Sequence, residues 1–434
     1  MNKLKCNNLT RRIIFNINIK NYNMICMNKN ENKNLNKVLK TSIAVFSVLT
    51  IINCIGIIGS SNALFEKSID SKNNLSMKVL DYWAEPGVAT TSITNLAKKD
   101  KTNLAYDETS DNNLRYIGKD PNNYVLFNNE LWRIIGVMNN IDDGTGNKAS
   151  RIKLIKAEPA YIGVAFDTNN VNDYSTSSIK TKLNEEYYNN MSESSKNMID
   201  SVVWNLGSAN YGDTANTYYS KERGENVYSE HATIWTGKVG IMYPSDYLYA
   251  TSGSSSVSRT TCITETSSSS NINWEKGICS KNDFLFDNSN WQWTLTPYQN
   301  NSFRISTIFY SGRVDNIQAN RTVGDGNFRP SLYLNSPIEI TGGYGTKNMP
   351  YKLSEVKHVT GSNNWNADYK CVNGKGTLIA CYYNDTKCDG GSGGWLGTGC
   401  TGNYSEIDPY YWCNTKLSTD LRIHSGNMSL TISC

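Results

Sequence analysis

An α+β fold is predicted for this chain: a mixed sheet with two flanking helices, followed by a small disulfide-rich β module. Three observations predict it. Short runs of β-branched and aromatic residues, bounded by turn residues, recur between residues 112 and 353. One stretch, Leu183–Trp204, carries apolar residues three to four apart. Six of the eight cysteines beyond Ala63 crowd into the last 64 residues.

The chain opens with a basic, Asn-rich segment. Lys37 and Lys40 precede an apolar run from Ile43 to Ile58, and Ser61-Asn62-Ala63 sets small residues where a signal peptidase cuts, so residues 1–63 read as an export signal or, uncleaved, as a membrane anchor. This segment holds nine Lys or Arg against one acidic residue. The formal +4 of the whole chain therefore hides a body with 34 basic and 38 acidic residues, a net of −4, and without a basic stripe nucleic acid is not expected as a partner. A membrane is expected only through the N-terminal segment. Residues 64–104 read as a linker or extension with little core and a short helix around Met77–Trp83.

The main domain is expected over residues 105–353. Tyr124–Phe127 and Leu131–Val137 flank an Asn128-Asn129 turn, Asp142-Asp143-Gly144 turns into a strand at Arg151–Ile155, and Lys238–Tyr247 returns to strand and turn after the helical stretch. Trp291, Trp293 and Leu295 alternate with Gln292 and Thr294, the pattern of a half-buried antiparallel strand that Pro297 stops. Ser311-Gly312 marks a hairpin turn. Ser331–Leu334 is a closing strand with Pro330 at its start, and its pairing with the upstream strands would join the two ends of the domain.

Cysteine usage agrees with an oxidising compartment. Cys262 and Cys279 flank a Ser/Thr-rich loop that a bridge would restrain. Cys371, Cys381, Cys388, Cys400, Cys413 and Cys434 mark a module at 362–434, behind a linker at 354–361. A module of that size buries too little core without such staples. It reads as a spacer or as a second binding unit presenting Trp395, Tyr411 and Trp412.

Several of these runs carry a resemblance. Asn112–Gly118, Pro121–Val125, Leu131–Gly136, the helical stretch, Gly240–Tyr247, Trp293–Pro297 and Arg329–Leu334, in that order, resemble a domain of unassigned activity in exported proteins of low-GC Gram-positive bacteria. That domain is similar to the C-type-lectin-like fold of formylglycine-generating enzymes and of the variable proteins of diversity-generating retroelements. The resemblance covers residues 105–353. It implies a lectin-like mixed sheet, and three family roles follow it residue by residue. The calcium triplets of true lectins are broken, because Glu158-Pro159 is followed by Ala160 and Trp365-Asn366 by Ala367. A copper site would need Cys262 and Cys279 as thiolates. Ligand display by the last hairpin falls on Phe303–Phe328, with Arg304, Tyr310, Arg313, Asn316, Asn320 and Arg321 as candidate outward residues, of types that supply contact area and hydrogen bonds at interfaces.

Catalytic signatures are missing. The three histidines, His231, His358 and His424, stand at no metal-ligand spacing, Glu185 and Glu186 point apart on a helix, and Gly390–Gly394 lacks the Lys and Ser/Thr of a phosphate loop. The sequence therefore calls for no cofactor and no metal. The expected function is a cell-surface or secreted protein that binds a protein or glycan ligand. The alternatives are an extracellular enzyme working near Glu222, Glu225, His231 and Asp246, or a structural component of the envelope.

Overall fold

A computed structural model describes residues 64–69, 75–80, 82–228, 230–322, 326–335, 338–360, 365–372, 375–383, 386–387 and 431–433. The leader, Cys388, Cys400, Cys413, Cys434, Trp395, Tyr411, Trp412 and His424 lie outside them. The chain divides into two compact units, Met1–Val79 and Leu80–Cys434. At the junction, strands Leu64–Ile69 and Leu75–Leu80 form a two-stranded sheet, so strand replaces the first part of the helix expected at Met77–Trp83.

The second unit is α+β. Its large sheet runs, strand beside strand, through Val239–Gly240, Ser331–Tyr333, Lys148–Lys156, Glu130–Asp142, Tyr124–Phe127, Tyr351–Thr360, Trp365–Val372 and Lys375–Tyr383. Most pairs are antiparallel, but Tyr351 and Lys352 run parallel to Val125 and Leu126, which makes the sheet mixed. Asn128 and Asn129 both take positive φ, +52° and +59°, as the tight hairpin between Tyr124–Phe127 and Glu130–Asp142 demands. The closing strand does join the two ends of the domain, but one place further along: Ser331–Tyr333 pairs with Lys153–Ile155, which lies between it and Glu130–Asp142.

A second sheet carries Val314–Gln318, Arg304–Ile308, Gln292–Pro297, Asn327–Phe328 and Tyr161–Ile162, in that order. Its strand Gln292–Pro297 is buried on both faces, not one. Gln292, Thr294 and Thr296 are as hidden as Trp293 and Leu295, and Thr294 satisfies its hydroxyl on the Ser306 carbonyl at 2.6 Å. Small polar residues that bond locally can enter a core, which period-two alternation does not reveal.

Other expectations change for physical reasons. The stretch Leu183–Trp204 is not two helices: Lys182–Tyr187 winds as a π-helical turn, Glu193–Asn197 is a short helix, and Val202–Asn205 is a strand paired with Ile234–Gly237. Val202, Val203 and Trp204 are β-formers, and Val202 and Trp204 face one side into the core. Pro244–Ala250 is a wholly buried helix, not a turn, with Pro244 in its first turn and the Tyr243 N–H donating back to the Asp246 side chain. The helix Ala89–Lys99 lies where little core was expected, yet Ala89, Ile93, Leu96 and Ala97 are buried at helical spacing. Residues 354–360, read as linker, continue the strand Tyr351–Thr360, which pairs onward with Trp365–Val372.

Cys262 and Cys279 are joined in a buried disulfide, which excludes the copper reading of that pair. Cys371 is also disulfide-bonded. Among the described residues no helix is long and apolar enough to cross a membrane, and no group of three metal-ligating side chains comes together.

Candidate ligand-binding groove

Charged side chains gather in two contrasting places. The first is sealed. Asp246, in the first turn of the helix Pro244–Ala250, accepts from Arg115 Nη1 at 2.7 Å and from Lys153 Nζ at 2.6 Å, and its Oδ2 caps the Tyr243 N–H at 3.0 Å. Arg115 also donates through Nε to Asp107 at 2.9 Å. None of the four residues is more than 2% exposed, and Lys153 lies 4.4 Å from the centre of the Tyr243 ring. Burial by itself would push the Asp246 carboxyl up; Lys153 and Arg115 outweigh it and hold it at about 2. Burial pulls the Lys153 ammonium down, to about 8, against the attraction of Asp246.

Glu222 belongs to the same interior. It is fully buried at the end of the helix Ala215–Glu222, accepts from the Ser245 N–H at 3.0 Å and from Ser245 Oγ at 2.5 Å, and burial raises its pKa. Of the four residues proposed for an enzyme, Glu222 and Asp246 are therefore walled in, His231 is half-buried and Glu225 is exposed. They do not form one open site. Asp246 and Glu222 bond to structural partners and present no oxygen to solvent.

The second place is open. The hairpin Arg304–Ile308 and Val314–Gln318 forms the edge of the smaller sheet and borders a groove of about 930 Å³. Five of the six sequence-predicted residues line it: Arg304, Tyr310, Asn316, Asn320 and Arg321. Register explains the grouping. Arg304 stands opposite Gln318 and Ser306 opposite Asn316, so Arg304, Asn316 and Gln318 share a face. Arg304 Nη1 donates to Asn316 Oδ1 at 2.7 Å, which holds the guanidinium across the strands. Tyr310, at the turn, is 58% exposed, with the Phe309 ring 5.4 Å away. Trp291, edge-on to Trp293 at 4.6 Å, lines the groove from the neighbouring strand's approach.

Arg313, the sixth candidate, is an anchor and not a groove residue. It binds Glu275 through Nη1 at 2.7 and 2.8 Å and Asp315 through Nε at 3.0 Å. Glu275 lies inside the loop that the Cys262–Cys279 bridge closes. The same loop supports the turn at further points: the Val314 N–H donates to the Ser267 carbonyl at 3.0 Å, and Tyr247 Oη donates to the Gly312 carbonyl at 2.7 Å from the helix just before the loop. Gly312 takes φ +106° against Ser280, and a Cβ there would collide with the Ser280 side chain. At the other end of the hairpin, buried Asn172 donates to the Asn301 and Arg304 carbonyls, both at 2.6 Å.

Sequence reasoning did not single out Ser289, Trp291, Phe309 or Gln318 as groove residues. Gln318 was within reach, because it lies two residues beyond Asn316 on one strand; Trp291 was read as core, and its position at the rim depends on the packing of Gly326 against it. A smaller cavity, about 520 Å³ along the helix Ala89–Lys99, contains none of the predicted residues.

No protein-family model matches this chain, and neither a curated protein nor a solved structure does.

Proposed function

We propose that this chain is an exported, non-enzymatic binding protein whose lectin-like domain takes a protein or glycan ligand in the groove beside the hairpin Arg304–Gln318. The observation that carries the reading is the convergence of Arg304, Tyr310, Asn316, Asn320 and Arg321 on one open concavity, with their backbone braced by a disulfide-closed loop. Such a surface has the features of a binding site: an exposed aromatic side chain, amides and guanidinium groups on a rigid strand pair, and little ordering cost on association. The mixed sheet, the buried disulfide and the motif order support the lectin-like assignment and export; the strands that follow Tyr351–Thr360 support the proximal C-terminal module as an extension of the scaffold.

A panel of immobilised glycans and extracellular host proteins, probed with the full chain made under oxidising conditions, tests the proposal. Capture of a ligand that Tyr310→Ala and Asn316→Ala each weaken about tenfold, with unchanged thermal unfolding, is expected. Capture that survives both substitutions would place the binding surface elsewhere.

A further inference from the structure

We infer that the ligand of this groove is an acidic saccharide, one carrying carboxylate or sulfate groups; the inference rests on the groove being the binding site. Arg304 and Arg321 supply positive charge to the lining, and among the described residues that form it none is acidic. Elsewhere in the unit, Arg115 is paired with Asp107 and Asp246, Arg151 with Asp200, and Arg313 with Glu275 and Asp315, while Arg259 and the buried Arg329 donate to backbone carbonyls. Arg304 instead spends one nitrogen on Asn316 and leaves Nε and Nη2 without a protein acceptor among the described residues. Arg321 is exposed, and among the described residues its guanidinium has no carboxylate partner. Among the described residues, two carboxylates near this stretch are committed elsewhere: Asp315 to Arg313, and Asp287 to Asn290 and Asn327.

Two arginines without a carboxylate partner among the described residues make a charge-assisted site for an anion. The rest of the lining decides what bears that anion. The side-chain amides of Asn316, Gln318 and Asn320 can both donate and accept, which matches sugar hydroxyls, and the exposed Tyr310 ring offers a flat apolar face beside them. A peptide would call for a deep apolar anchor site, and here the one large apolar side chain more than half exposed in the lining is Tyr310.

The test measures binding of the full chain to four labelled polymers at low salt: hyaluronan with carboxylates alone, dextran sulfate with sulfates alone, neutral dextran, and poly-L-glutamate. At least one acidic polysaccharide is expected to bind about tenfold or more tightly than dextran, and which one does so separates carboxylate from sulfate. Arg304→Gln and Arg321→Gln are each expected to weaken that binding about tenfold, Tyr310→Ala comparably, and Arg313→Gln less than about twofold. Dextran binding as tightly as its charged counterparts, and depending on Tyr310, would overturn the acidic preference while leaving the groove as the site. Poly-L-glutamate equalling the polysaccharides would turn the assignment to an acidic peptide. Acidic-polymer binding indifferent to both arginine substitutions, or no binding of any polymer, would also overturn the inference; the protein panel above then judges the groove independently.

Discussion

The cluster around Asp246 and the groove beside Tyr310 use the same residue types to opposite ends. In the cluster, Arg115 and Lys153 face Asp107 and Asp246 inside the core, and the charges neutralise one another. In the groove, the half-buried Arg304 and the exposed Arg321 have no carboxylate beside them among the described lining residues. Arginine alone therefore says nothing about function here. Function is read from whether the protein has already supplied the counter-charge, since a buried pair is a structural commitment and an open guanidinium is an unspent one.

The largest expected effect breaks the sealed side. Asp246→Asn leaves Lys153 uncompensated and Arg115 with Asp107 alone, and is expected to cost about 3–5 kcal/mol in urea unfolding, with little change in any ligand's affinity for the folded protein. Because Asp246 is held at about 2, below its ordinary 3.8, its contribution is complete above pH 3.8 and is lost as the pH falls from there through 2. A wild-type acid-unfolding curve that Asp246→Asn does not flatten in that window would remove Asp246 from the account.

Next comes the brace between the two regions. Replacing Cys262 and Cys279 by serine opens a loop with a sequence separation of 17 and is expected to cost about 3 kcal/mol by thermal or chemical unfolding. It should also weaken groove binding, because the Ser267 carbonyl holds the Val314 N–H of the hairpin from inside that loop. The sharpest comparison is between two arginines of one hairpin. Arg313→Ala is expected to lower stability by at most about 1 kcal/mol and spare binding, whereas Arg321→Ala should spare stability and weaken binding about tenfold. Equilibrium unfolding and titration of the two variants side by side would expose a reversed assignment.

A separate effect, read as a pH dependence, concerns Asp283, which is buried, has one carboxyl oxygen without a partner among the described residues, and is pushed well above its ordinary pKa by burial. A raised pKa gives a contribution complete below pH 3.8 that drains away as the pH rises. Asp283→Asn should therefore be about neutral at pH 4 and progressively more stable than wild type toward pH 7, by denaturant titration at both values. A gap that narrows instead would show that Asp283 is charged in the folded state.

Much of the fold was legible. Asn128-Asn129, Asp142-Asp143-Gly144 and Ser311-Gly312 all turn where turn chemistry predicts, and the bridge Cys262–Cys279 forms across the Ser-rich loop. The motifs behind the lectin-like resemblance prove to be scaffold. Arg115 and Asp246 meet in the sealed cluster, and Arg133 donates to Asn123 Oδ1 at 2.5 Å to clamp the loop after Pro121. Those motifs consequently point to architecture and not to a ligand. Val202–Trp204 was misread because a three-to-four spacing and a strand's alternation coincide over so short a run, and partner strand Ile234–Gly237 decided between them.

By itself the sequence determined where the chain turns, which side chains are too apolar to leave in water, and which hairpin carries Arg and Tyr at outward positions. These depend on local backbone preference and on periodicity, which neighbouring residues set. Tertiary structure alone decided that Asp246 is closed in and Arg321 is open, and that Arg313 braces while Arg304 lines the groove. The counter-charge that closes the cluster comes from far along the chain, as Asp246 does for Arg115 from 131 positions away, and no local pattern records it.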